Sequence, residues 1–144
     1  MKKARLSRIL VHASLDFIED FSNQIEENYQ ISLETKPQKS LVLMKTKDSV
    51  SGLNFYNGEI LVTECKVTIH HFHGFGIVMG EQPDRSFYMA VIDAAFNAEL
   101  PEISSWKDRL IQEEARIEKE KLSETKNAEA SRVQFDTMEG FDER

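Results

Sequence analysis

The hydrophobic positions change period along the chain. Leu6, Ile9, Leu10 and Ala13 recur at helical spacing, and so do Phe17, Ile18, Phe21 and Ile25. Ser14 separates the two sets and is placed to cap the second. Asp16, Glu19 and Asp20 suit that helix's positive end. Two helices are therefore predicted over residues 3–28. Ile31, Leu33 and Thr35 then alternate with polar residues, as in a strand that Pro37 would end. Residues 41–44 form a short apolar run, a second strand covered on both faces, and residues 45–52 read as a polar loop.

Asn57-Gly58 is a turn signal, because both residues tolerate positive φ. Residues 60–69 form the longest predicted strand. Leu61, Thr63, Cys65, Val67 and Ile69 share one face, and Glu64, Lys66 and Thr68 the other, as in an antiparallel strand with one wet face. Gly74 and Gly76 bracket Phe75, residues 77–79 make a return strand, and Gly80 closes it. Hairpin geometry is the expected reason for these glycines.

Asp84 can cap a helix reaching Ala98 whose apolar residues run nearly all round it, which predicts burial on several sides. Beyond Pro101, residues 102–130 are mostly charged, with Ile103, Trp106, Leu110, Ile117 and Leu122 as sparse apolar points. A long exposed helix with a narrow sticky stripe is predicted. Residues 131–144 have no clear period yet carry Val133, Phe135, Met138 and Phe141. The fold expected is α+β: an antiparallel sheet of four or five strands between N-terminal and C-terminal helices. One domain covers residues 1–130, and residues 131–144 form an extended docking tail.

Composition narrows the function classes. The chain has 144 residues, one cysteine and a net charge of −7. A single thiol excludes a disulfide framework and a four-cysteine zinc site. No apolar run approaches the roughly 20 residues that cross a bilayer, and Ser7, Arg8 and His12 interrupt any signal-peptide core. A soluble cytoplasmic protein is expected. The acidic balance gives no general attraction to nucleic-acid phosphates.

Four features could carry chemistry. His71 and His73 lie two apart, so on a strand they would point the same way and could bind zinc or nickel, though His70 beside them adds no evident third ligand. A histidine-rich hairpin tip explains the cluster as well. Cys65, on the apolar side of its strand, reads as a small buried side chain rather than a nucleophile. Asp93, the one charge between Phe87 and Phe96, must find a donor or stay protonated. An arginine or backbone donor within the fold is favoured over a catalytic role, and an intersubunit partner stays open. The tail places Phe135 and Met138 as apolar anchors beside Arg132 and Val133, which favours docking on a partner. No GxSxG, HExxH or phosphate-binding loop is present.

Ser131-Arg132-Val133-Gln134-Phe135-Asp136-Thr137-Met138 resembles the C-terminal S-R-V-x-F-x-T-M signature of the PhnG family. These are the G subunits of the bacterial carbon–phosphorus lyase core complex. Residues 55–64, the glycine-marked stretch 74–80 and Ala90-Val91-Ile92-Asp93-Ala94 resemble further family blocks, in family order, so that the resemblance spans residues 29–138. Gln134 stands where many members carry an acidic residue, and the histidine cluster is not part of the pattern. The resemblance implies a place, as a non-catalytic subunit, in phosphonate breakdown. There the G subunit acts with the H, I and L subunits to transfer the ribose triphosphate of ATP to methylphosphonate, releasing adenine. It implies a core assembly with H, I and J, two copies of each, with no nucleic acid or membrane as partner. It places no cofactor on this chain. ATP is used by the complex, and zinc and an iron–sulfur cluster with S-adenosylmethionine belong to other subunits. Two alternatives remain open on residues alone: an independent metal-dependent enzyme using His71 and His73, and a small-ligand binding module.

Overall fold

A computed structural model describes the backbone of residues 1–142 and the side chains of residues 1–129. Among these, two helices, three strands and two helices follow in turn: α1 (Lys3–His12), α2 (Leu15–Asn28), β1 (Ser32–Lys47), β2 (Asn54–Ile69), β3 (Phe72–Met79), α3 (Pro83–Asn97) and α4 (Ile103–Asp142). The strands form one antiparallel sheet in the order β1-β2-β3. The class is α+β, with three strands instead of four or five.

The helical break at Ser14 is where the spacing places it. Ser14 Oγ accepts a hydrogen bond from the Phe17 backbone N–H at 3.3 Å, so the side chain closes one of the open donors of α2. The strand count differs because two breaks read from sequence are bulges. β1 runs through Pro37, with register shifts between Leu33 and Thr35 and between Thr35 and Gln38. β1 lies at the sheet edge, where a missing backbone donor is tolerated. On β2, Met44 pairs with Gly58 and Lys45 with Tyr56, so Asn57 is the extra residue of a bulge rather than part of a turn. The β1–β2 turn lies earlier. Asp48 accepts from the Val50 N–H and the Ser51 hydroxyl, and Gly52 takes φ +72°. These bonds, led by the Val50 N–H, hold the Asp48 carboxyl below the usual aspartate range.

The core lies between one sheet face and the helices. Thr63, Cys65, Val67 and Ile69 of β2 are buried, as alternation requires, while Leu61 is exposed. α3 crosses this face and buries Met89, Ala90, Val91, Ile92, Ala94 and Ala95. Its first turn begins at Pro83 with Gln82 as the flanking residue, and Asp84 lies inside it. Gly74 and Gly76 owe their identity to this helix rather than to the hairpin. A Cβ at Gly74 would overlap the Ala90 carbonyl oxygen, and one at Gly76 the Ser86 carbonyl oxygen. The close approach is fastened by Ser86 Oγ, which donates to the Gly76 carbonyl at 2.7 Å.

The first turns of α4 dock on the helical layer through Trp106. Its ring stacks on Phe21 at 4.6 Å, and its indole N–H donates to Gln24 Oε1 at 2.9 Å. Leu110 and Ile117 continue the buried stripe. Arg5 of α1 makes a paired contact with the Glu114 carboxylate, at 2.8 and 2.6 Å. From Glu118 to Glu129 every residue of α4 is exposed. The helix continues to Asp142 as one element of 40 residues, about 60 Å at 1.5 Å per residue.

Candidate functional site

The largest unpartnered surface is the distal half of the β1–β2 hairpin. Past Ser40, whose partner Val62 is still buried, the ribbon leaves the helical layer and β3, and residues 41–47 are exposed on both faces. Alternation puts Leu41 and Leu43 on one face and Val42 and Met44 on the other, and all four are exposed, Leu41 by 61%. Phe55, Tyr56 and, at the turn, Val50 and Leu53 add to the apolar surface. The expected cover on both faces of residues 41–44 is absent among the described residues. A two-stranded ribbon is marginal in water on its own, and contiguous exposed apolar area of this kind marks an interaction site.

The outer face of the sheet extends that surface. Phe75, Ile77 and Met79 of β3 form an exposed row. Beside it the polar side chains of β2 satisfy one another or their neighbours. Gln38 Nε2 donates to Glu64 at 2.9 Å, Thr68 Oγ1 donates to Glu34 at 2.8 Å, and the Lys66 ammonium lies 5.5 Å from the Phe75 ring centre. A hollow of about 150 Å³ between Gln38, Glu64, Lys66, Phe75 and Ile77 is the tightest concavity on this face. Its charged groups are engaged in those contacts.

The sequence-derived candidates fall in separate places. His70 and His71 form the two-residue β2–β3 turn, with φ +48° and +70°. His71 is therefore off the strand, and alternation does not align it with His73. His70 packs edge-on to Tyr29 at 5.3 Å, and His73 Nδ1 lies 2.9 Å from Thr68 Oγ1. Among the described residues no three His, Cys, Asp or Glu side chains converge to hold a metal ion. Cys65 is buried, and burial pushes its thiol up to about 11. Such a thiol is a poor nucleophile.

Asp93 sits at the sheet–helix seam. Its carboxylate accepts the Phe75 backbone N–H at 3.0 Å and lies 3.9 Å from the Lys3 ammonium. The side chains of Arg132, Val133, Phe135 and Met138 lie outside the described residues, although α4 carries their backbone.

Arg85 was not marked by the sequence pattern, yet it joins two layers. Its Nη1 donates to the carbonyls of Leu10 and Ala13, each at 2.8 Å, and its Nε donates to Gln82 at 3.0 Å. It thereby closes open carbonyls at the C-terminal end of α1. Burial lowers the guanidinium pKa from its ordinary value. The only sequence signal was a cation in the first turn of an otherwise apolar helix.

No helix among the described residues is long and apolar enough to cross a membrane. A search of curated proteins returns no match. Residues 1–140 match the family model described as phosphonate metabolism protein PhnG. With residues 1–140 of 144 matched, this protein belongs to the PhnG family, the G subunits of the carbon–phosphorus lyase core complex.

Proposed function

We propose that this chain is a non-catalytic subunit of the carbon–phosphorus lyase core complex, cytoplasmic and bacterial. It acts with the H, I and L subunits in transferring the ribose triphosphate of ATP to methylphosphonate with release of adenine. It assembles with H, I and J, in two copies, and braces the large I-type subunit. The observation that carries this reading is the apolar distal hairpin, exposed on both faces in a chain matched end to end by a subunit family. Stabilising a nucleoside triphosphate in a transition state needs preorganised charge aimed at the phosphates. The polar groups on the sheet face of this chain are instead turned on one another.

In this reading the chain holds no cofactor of its own, and among the described residues no three metal-ligating side chains converge. One buried cysteine with a raised pKa offers no thiolate set for an iron–sulfur cluster. ATP, zinc, the iron–sulfur cluster and S-adenosylmethionine are held by the other subunits in this reading. Arg132, Val133, Phe135 and Met138 form a second anchor in the C-terminal part of α4, with Phe135 and Met138 as the apolar anchors.

Co-expression of a tagged copy with the H, I and J subunits, followed by size-exclusion chromatography, tests the proposal. One large stoichiometric particle is expected. A lone monodisperse peak in the presence of all three partners contradicts it.

A further inference from the structure

The free edge of β1 has a composition unlike the rest of the molecule. The strand carries Lys36, Lys39, Lys45 and Lys47 against Glu34 alone, a net +3 within a chain of −7. Its inner edge is filled by β2, and no described strand pairs with its outer edge. Bulges and Pro37 interrupt the half nearest the helices. Between Gln38 and Met44 the pairing with β2 runs through seven consecutive partners without a shift. That stretch spans about 23 Å at 3.3 Å per residue. Leu41 to Met44 are exposed on both faces there, whereas free edge strands normally carry charge or are covered.

We infer that Gln38–Met44 is a docking edge for an extended segment of another subunit, apolar in the middle and acidic at its ends, which adds to the sheet as a fourth strand. The inference rests on the subunit reading above. Strand addition uses the open backbone groups for affinity and the alternating side chains for specificity. Charge selects the partner. Pairing β1 with β1 of a second copy would bring +3 against +3, while a segment with flanking carboxylates meets Lys36 and Lys45 favourably. Both lysines are exposed. Lys45 lies 5.7 Å over the Tyr56 ring, and Lys39 is 3.7 Å from Glu81.

Hydrogen–deuterium exchange on the isolated chain and on the complex with H, I and J tests the edge directly. The backbone amides of residues 38–44 that do not bond to β2 are expected to slow at least tenfold on assembly. The K36E/K45E double variant is expected to keep the melting temperature of the free chain and to associate at least tenfold more weakly. If the natural chain assembles but these amides keep their free exchange rate, the docking edge is wrong and the subunit reading stands. The same holds if the variant assembles with unchanged affinity. If the natural chain does not assemble at all, the subunit reading itself fails. A free chain that dimerises through β1, with the same amides protected, overturns the choice of an acidic partner segment.

Discussion

Strand β2 passes through two environments. Over its second half Thr63, Cys65, Val67 and Ile69 lie under α3, fully packed. Over its first half Phe55 and Tyr56 are 49% and 60% exposed, although their side chains are larger. The same strand, paired with β1 along both halves but with β3 only from Val62 onward, is core at one end and bare at the other. Apolar content by itself therefore does not say what covers a strand. The covering helix does: α3 lies over the second half only, close enough there that Gly74 and Gly76 of β3 leave no room for a Cβ. In the proposed reading, the uncovered half is where another chain docks.

This contrast can be broken from either side. The largest effect belongs to the packed helical layer behind the sheet, where α4 docks. Trp106→Ala removes the stack on Phe21 and the bond to Gln24, and should cost about 3–5 kcal/mol of stability in chemical denaturation. Leu41→Ala at the bare end should stay within about 0.5 kcal/mol in the same free chain, since it removes no buried contact. Equal losses at the two positions would mean that the arm is packed in solution.

Arg85→Met strips the carbonyls of Leu10 and Ala13 of their donor and should cost about 1–3 kcal/mol. Ser14→Ala should cost about 1 kcal/mol through the lost cap of α2. Both belong to the helical layer, so exchange protection in residues 41–61 should be unmoved by either.

The smallest effect is a pH dependence at the root of α4. The hydrogen bond from Arg5 holds the Glu114 carboxyl below the usual glutamate range, with the nearby positive charge adding to it. The folded-state value is depressed, so the stabilisation is present above the ordinary glutamate value. It is lost as pH falls through the lowered one. Melting temperature below pH 4.5 should therefore fall less steeply in Arg5→Ala than in the natural chain. An identical slope would show the pair to be electrostatically silent.

Legibility from sequence followed the same division. Where one chain segment packs on another with regular period, residues told the outcome. Ser14 marked the helix break, and the face of β2 from Thr63 to Ile69 was assigned by alternation. Local punctuation misled where tertiary context reversed it. Pro37 reads as a stop, but an edge strand absorbs it in a bulge. Asn57-Gly58 reads as a turn, but it is also what a bulge requires, and Asp48 with Gly52 makes the turn. Gly74 and Gly76 were legible as special positions, not as a helix seat, because the approach of α3 is a long-range fact. The candidate site was legible only as apolar residues at 41–44. The cover expected on both of their faces is not there among the described residues, where all four are exposed.

The tail offers a separate comparison with the arm. Phe135→Ala with Met138→Ala should weaken association while leaving the sheet's circular dichroism unchanged. Full stoichiometric co-purification of that variant would remove the tail from the interface and leave the arm as its main anchor.

The most direct test of the central claim concerns the arm itself. A Leu43→Ser, Phe55→Ser variant should be compared with the natural chain for free-chain melting temperature and for stoichiometry in the complex with H, I and J. The account predicts an unchanged melting temperature and loss of the chain from the particle. A variant that melts normally and still enters the particle at full stoichiometry would contradict it.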